Sequence, residues 1–317
     1  MQAASTSVPR RKGGPIGWLT EETLAGMRRR KALMGYLFVL PTILGIIIFT
    51  AGPVLVSFGL SFYKWNVFKP PTYIGFDNYS RLFGDERILI SFANSAKFVI
   101  LAVSLQIILA LLLALAVRQR MATWMRYYFR TAFFLPFLLS GAATGVVLSF
   151  LLHREFGVVN YYLGFLGIPR VPWTNSADVV LYTIVLAYLW QFLGFTLISM
   201  LGGLSNISTE ILDAAEVDGA RGWNWLWNII LPMMSPSILF SAVVGVIGGL
   251  QVFDQPYVMT RGGPGDASRT VVMTLYESAF KNQEIGYASA IAVILFIVIM
   301  IVTAFQFAMS RRWVFYQ

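Results

Sequence analysis

Charged residues disappear from this chain over long intervals. Ala32 to Tyr63 contains none, and neither does Phe98 to Val117. Thr131–Leu152, Val179–Gly203, Met233–Phe253 and Ile285–Met309 repeat the pattern. About 20 consecutive apolar residues cross a bilayer as a helix. The pattern therefore predicts six transmembrane helices, over about 32–63, 98–117, 131–152, 179–203, 233–253 and 285–309. Pro41 and Pro53 are expected to kink the first, and Pro136 lies inside the third. The intervening segments are a basic tail over 1–31 and polar loops over 64–92, 153–178, 204–232 and 254–284. The tail and the apolar stretch after it are too long for a cleavable signal peptide. Thr20–Lys31 is expected to lie along the membrane as a short helix.

The loop over 204–232 carries more local structure than a simple connection needs. Ser208 is a plausible N-cap, and Glu210 falls in the first turn, where its charge suits the helix dipole. Ile211, Leu212, Ala214 and Ala215 continue a short helix with a small-residue face. Gly219 can take the left-handed conformation that ends a helix. A second helical piece over about Trp223–Ile230 follows, with Pro232 expected to stop it. The loop thus reads as helix, turn, helix. Four of the 15 acidic residues, Glu210, Asp213, Glu216 and Asp218, sit here. Either the loop is simply solvated or it docks a partner outside the bilayer, and the residues alone leave both open.

Composition supports an all-α membrane protein. Hydrophobic residues make up 57% of the chain and charged residues 12%. The mean hydropathy is +0.68. Soluble domains carry about 25% charged residues. There is no cysteine, which excludes disulfides and thiolate chemistry, and a single histidine, His153, which reads as an interfacial residue. The net charge of +9 comes from basic residues beside apolar spans, so it points to the membrane surface and not to nucleic acid. Seven Lys/Arg in the tail, four after span two (Arg118, Arg120, Arg126, Arg130) and Arg311–Arg312 fall on one side of a six-span protein. The positive-inside rule makes that side cytoplasmic, so both termini and the 204–232 loop are expected there. Lys97 stands at a span edge, and no charged residue lies within a span, which argues against a secondary carrier coupled to protons or ions. No P-loop or nucleophile elbow is present and no paired carboxylates stand in the spans, so no catalytic residue and no metal site is proposed.

Two spans offer candidate solute contacts. Span four holds Trp190, Gln191, Phe192, Phe195 and Ser199. An unpaired amide in hydrocarbon is costly, so Gln191 faces either a partner helix or solute. Span five holds Gly245, Gly248 and Gly249, then Gln251 and Val252. The glycines serve close helix packing or leave room for a ligand. Aromatic rings with amides would suit a carbohydrate.

Asp213-Ala214-Ala215, then Gly219, then Ile229-x-Leu231-Pro232, resembles the E-A-A…G…I-x-L-P signature of permease subunits of binding-protein-dependent ABC importers. Asp213 replaces the usual Glu and keeps the carboxylate. Gly75-Phe-Asp-Asn-Tyr79 resembles the family's segment after the first span, and Phe253-Asp254, Tyr257-Val-Met-Thr260 and Gly262-Gly-Pro264 resemble segments of the carbohydrate branch, which includes the maltose-system F-type and glycerol-phosphate A-type permeases. The resemblance implies a type-1 permease core over 93–310. It also implies a coupling helix that docks on an ATPase through Asp213, Ala214, Ala215, Glu216, Asp218 and Gly219, with Leu231 and Pro232 closing the motif. Residue by residue, it puts Gln191, Phe192, Phe195, Gly245, Gly248, Gly249 and Val252 on solute-contacting positions. The implied partners are a second homologous permease, an ATPase dimer carrying ATP and Mg, an extracytoplasmic solute-binding protein meeting the loops over 64–92 and 254–284, and a carbohydrate. The expected setting is the bacterial inner membrane, with no cofactor in this chain. A permease for glycerol-phosphate or another polar solute is the nearest alternative. A secondary carrier or a membrane scaffold is the alternative from another class.

Overall fold

The computed structural model describes residues 24–118 and 122–315. The chain divides into two compact units, 1–57 and 58–317. In the first, α1 (Leu24–Ile46) passes through a widened turn, Ile47–Ala51, into α2 (Gly52–Leu60). Leu24–Lys31 is therefore the start of the first long helix and not a separate surface helix, because no glycine or proline interrupts the chain from Met27 to Met34. Thr20–Thr23 lies outside the described residues. Pro41 sits within α1. The change of winding comes just before Pro53, where the Gly52 N–H donates to Ile47 O across the wide turn. A proline ring collides with the carbonyl four residues earlier in a regular helix. Widening the turn moves the carbonyl of Phe49 out of the way.

The second unit begins with a clip. Strands β1 (Tyr63–Lys64) and β2 (Thr72–Tyr73) pair antiparallel, and α3 (Asp77–Gly84) follows. Asn78 is buried and donates its Nδ2 to Ser61 O (2.8 Å) and Tyr63 O (3.0 Å). The segment expected as an open loop over 64–92 is thus folded, and its last turns already belong to α4 (Glu86–Arg118). At 33 residues α4 is about 50 Å long, well beyond a hydrocarbon core of about 30 Å. The apolar stretch over 98–117 marks only its membrane part.

The third expected span is not one helix. α5 (Thr123–Phe134) runs into a 3-10 turn, Leu135–Leu138, and then α6 (Gly141–Leu151) departs at 104°. Pro136 removes a backbone donor, and Leu139 and Ser140 adopt extended conformations with ψ of 147° and 136°. Two glycines admit the corner. A Cβ on Gly194 would sit 2.0 Å from Phe133 O, and one on Gly141 would sit 2.3 Å from an Asp254 carboxylate oxygen.

Helix α7 (Val158–Phe165) lies in the stretch expected as a loop over 153–178. Its buried Asn160 accepts from the Trp173 indole N–H and the Val171 N–H, and donates to Arg154 O and Val171 O. α8 (Ala177–Ser205) matches span four closely. After α9 (Thr209–Val217), the short α10 (Gly222–Trp225), a wide turn (Leu226–Ile230) and α11 (Leu231–Leu250) form one continuous span of 29 residues. Pro232 does not stop the helix. The Leu231 N–H reaches Leu226 O, so the Asn228 carbonyl clears the ring, as before Pro53. Pro236 frees the carbonyl of Pro232, which then accepts from Ser235 Oγ at 2.5 Å. α12 (Asp254–Thr260) and α13 (Val271–Tyr276), continued by a wide turn over Glu277–Lys281, fill the segment expected as a loop over 254–284. The last span is α14 (Ile285–Ser310). Among the described residues, five helices are long and apolar enough to span, and the bent pair makes up to six.

The core is built on α4, α8 and α11. Phe98, Ala102, Ile184, Val271 and Ile291 are fully buried in one cluster, and Ala110, Ala114, Leu197, Met200 and Met234 in another. At the α3 end, ion pairs tie the folded segments together. Arg81 grips Glu284 with two bonds of 2.9 Å. Arg87 and the buried Arg269 share Asp266 at 3.1 and 2.5 Å. Arg269 also pairs with Glu277, which takes Lys281 at 2.9 Å. Burial of Asp266 and Glu277 works against ionisation. Their basic partners outweigh it and hold both carboxyls below the usual range.

A depressed folded pKa means stability that is complete above the ordinary carboxylate range, about pH 4. It is lost as pH falls through the folded values. Hydrogen exchange of 262–284 should therefore be flat from pH 7 to 5, after correction for intrinsic rates, and accelerate below about pH 4. Unchanged protection at pH 3 would remove these ion pairs from the account of this end's stability.

Candidate functional site

The corner at Leu135–Gly141, where Pro136 is buried, presents a backbone carbonyl outside the helical ladder. Gln191, buried at mid-span in α8, donates its Nε2 to Leu139 O at 2.9 Å. Its Oε1 accepts from Gln255 Nε2 on α12 at 2.7 Å. One amide chain thus joins α8, the corner and α12. Of the two openings the residues left for Gln191, the structure fills the interhelical one. Gln106 of α4 does similar work one turn away. It donates to Phe192 O (3.1 Å) and Thr196 Oγ1 (2.7 Å).

The same corner assembles an aromatic shelf. Phe137 stacks on Phe195 with centroids 5.2 Å apart and meets Phe192 edge-on at 5.9 Å. Phe192 continues to Tyr188 at 4.4 Å, and Tyr188 to Phe98. Trp190 points to a different face of α8 and is 45% exposed, in register with exposed Tyr182 and Leu186. Ser199 accepts from Ser241 Oγ at 3.3 Å, joining α8 to α11.

On α11 the glycines serve close approach. A Cβ on Gly245 would lie 3.2 Å from Val103, and one on Gly249 3.0 Å from Val99. Gly248 faces the Tyr188 hydroxyl. The helix ends at Leu250, so Gln251 and Val252 lie beyond it. Gln251 is exposed, while Val252 is buried and its carbonyl accepts from Thr270 Oγ1 at 2.9 Å. The sequence-derived candidates therefore separate. Gln191, Gly245, Gly249 and Val252 are packed inside, Phe192, Phe195, Ser199 and Gly248 are half-buried, and Trp190 and Gln251 are open. Gln106, Phe137, Tyr188 and Gln255 were missed. Gln106 carried the same signal as Gln191, a lone amide in a charge-free span.

At the other end, α9 is capped as its residues require. Ser208 Oγ accepts from the Ile211 N–H at 3.4 Å. Gly219 takes φ of 76°, and the N–H groups of Gly219 and Ala220 return to Glu216 O and Ala215 O. This reciprocal closure needs a residue free to adopt positive φ. Ala215 is buried, whereas Asp213, Ala214, Glu216, Asp218 and Gly219 are exposed. A groove of about 350 Å³ runs between Asp213, Glu216, Arg221 and Trp225. Leu231 and Pro232 lie at the start of α11, beside the fully buried Ile230 and Met234, where they seat the loop on the spans. Among the described residues, no group of His, Cys, Asp and Glu could hold a metal ion.

Residues 106–315 match the model of a family described as "Binding-protein-dependent transport system inner membrane component". A probable ABC transporter permease, YesP of Bacillus subtilis, is 32% identical over 293 residues, covering 91% of this chain and 94% of that protein. The multiple sugar-binding transport system permease MsmF of Streptococcus mutans is 30% identical, with 90% and 99% covered. In fold the chain is similar to a crystal structure of a bacterial ABC transporter that imports the acidic polysaccharide alginate. The TM-score is 0.79 at 24% identity, over 90% of this chain and 98% of that one.

Gln191→Leu takes the donor from the part-buried Leu139 O and strands the buried Gln255 amide. Each buried unpaired group costs about 1–3 kcal/mol, so the variant should lose about 2–4 kcal/mol in thermal unfolding. Gln191→Leu with Gln255→Leu should lose less than the sum of the single changes. Additive losses would show that the amide chain does not act as a unit.

Proposed function

The chain belongs to the family of binding-protein-dependent transport system inner membrane components, and from that premise we propose that its solute is a carbohydrate, carried along the aromatic residues of α8 and the Phe137 turn. It is a multi-pass inner-membrane permease subunit of an ABC importer, and not an enzyme. ATP and Mg belong to a separate ATPase dimer. The observation that carries the carbohydrate reading is the shelf of Phe137, Phe192 and Phe195, with Trp190 exposed on α8, the helix of Phe192 and Phe195. Sugar rings stack their C–H faces on aromatic rings, and a neutral solute needs no counter-charge. Relatives described as multiple-sugar and arabinooligosaccharide permeases agree with it. Nothing cationic stands at mid-span to meet a phosphate, so glycerol-phosphate is the weaker choice.

The row Tyr182, Leu186 and Trp190 on α8 and Phe240 and Val244 on α11 are left exposed by the described residues. A second, homologous permease would meet them, with the pathway between the two. Helix α9 is the coupling helix in this reading. Its exposed carboxylates form no ion pair among the described residues, so a basic ATPase cleft is their complement. The termini and α9 then lie in the cytoplasm. The folded segments 64–92 and 254–284 face outward, where the solute-binding protein delivers its load.

The complex reconstituted in vesicles tests this. Asp213→Lys reverses a charge on the docking face, and Gly219→Val forbids the closing turn. Each should cut binding-protein-stimulated uptake at least about tenfold, with the ATPase detached or its hydrolysis uncoupled. Uptake that survives both changes would sink the coupling assignment. Trp190→Ala and Phe195→Ala should instead raise the sugar concentration needed for half-maximal uptake with the ATPase still bound. If neither does, the shelf is not the sugar's path.

A further inference from the structure

A second cavity lies against α9 and shares Leu212 with the acidic groove. It measures about 320 Å³. Val117 of α4, Leu204 of α8 and Leu212 of α9 supply apolar wall, and Ser205, Thr209 and Arg130 supply the polar groups. Arg130 is the unusual member. Its Nε is buried and meets no acceptor, and its guanidinium forms no ion pair among the described residues. Arg130 as a whole is half-buried, and a cation whose Nε is shut off from water with no acceptor favours an anion beside it. The C-terminus of α8 does not supply one through its turned-back carbonyls. Leu201 O is taken by Ser205 Oγ, and Gly202 O and Gly203 O by the Asn206 N–H. The start of α9 adds the positive end of a helix dipole on the same side, with Thr209 its first residue.

The position says which anion. Val117 and Leu204 sit at the ends of two membrane spans, so the cavity opens where lipid headgroups meet acyl chains. We propose that this cavity binds the phosphate of an anionic phospholipid, paired with Arg130, with the apolar wall taking the top of the lipid's chains. Basic pockets between spans on the cytoplasmic side are suited to such headgroups. The α9 end is cytoplasmic in the functional reading above, and the leaflet assignment rests on that reading. The pairing itself does not. The site has a consequence for coupling, because Leu212 lines both this cavity and the acidic groove. A bound lipid therefore braces α9 next to the groove that the ATPase engages.

The assembled complex is purified in detergent and its retained lipids are counted by native mass spectrometry, with added phosphatidylglycerol, phosphatidylcholine or inorganic phosphate. Wild type should hold one more phosphatidylglycerol than Arg130→Gln, whose affinity at this site falls about tenfold or more. Ser205→Trp changes an exposed residue and plugs the cavity, and it should lose the same lipid with Arg130 in place. Equal retention by wild type and both variants overturns the proposal. Displacement of the lipid by inorganic phosphate alone makes this a free-phosphate site and also overturns it. Loss of the ATPase from Arg130→Gln with lipid retention unchanged assigns Arg130 to a carboxylate of the partner instead. Should the variants not assemble, wild type decides. Hydrogen exchange over 200–217 should be slower in phosphatidylglycerol nanodiscs than in phosphatidylcholine ones, and equal rates overturn the proposal. Lipid retention needs no ATP turnover, so its failure is separable from failure of the coupling assignment.

Discussion

A backbone carbonyl inside a membrane must find a donor within the protein, because lipid offers none. The corner between α5 and α6 breaks the helical ladder at Leu139, and Gln191 closes the gap, with Gln255 behind it. That requirement explains several otherwise separate features. Gly194 has no side chain because α8 must approach the Phe133 carbonyl closely. Gly141 has none because Asp254 lies against it, which brings α12 to the corner. The 3-10 turn that makes the corner also swings Phe137 between Phe192 and Phe195. The aromatic shelf is thus a by-product of satisfying one break in the backbone. Changing the corner would move the shelf.

The three-helix core tolerates little change for a related reason. Interiors pack like organic crystals, and lipid supplies no hydrophobic drive to bring helices together. α4 meets α11 through Gly245 and Gly249, where Val103 and Val99 occupy the space left by the missing side chains. Gln106 adds hydrogen bonds between α4 and α8 at the same depth. These contacts make the second unit a firm body.

Helix α9 is tethered differently. Its sequence supplies both its own caps, Ser208 and Gly219, so the helix is defined locally and does not depend on deep burial. Only Ala215 of its residues is buried. Pro232 could have cut the helix off from the span that follows. The wide turn at Leu226–Ile230 absorbs the proline, and the chain continues into α11 without a break. Movement of the loop therefore has a continuous helix through which to reach the core.

Much of this was legible in the amino-acid order. Charge-free runs mark the spans because a bilayer imposes a strict length and polarity on whatever crosses it. Ser208 and Gly219 announce α9 because caps are local chemistry. The twenty-residue motif from Asp213 to Pro232 names the family. What the order left open was decided by contacts distant in sequence. Pro53, Pro136 and Pro232 look alike in one dimension, yet only the second turns the chain through a corner, because α8 and α12 wait there to satisfy it. Gln191 was open between solute and helix until Leu139 came within 2.9 Å. Gly245 and Gly249 of α11 were open between room and packing until Val103 and Val99 of α4 came against them. The loops over 64–92 and 254–284 looked unstructured because their order comes from ion pairs such as Arg87–Asp266 and Arg81–Glu284, whose partners lie far apart along the chain. Local propensity writes helices and caps into a sequence, whereas the pairing of buried polar groups exists only once the chain has closed on itself.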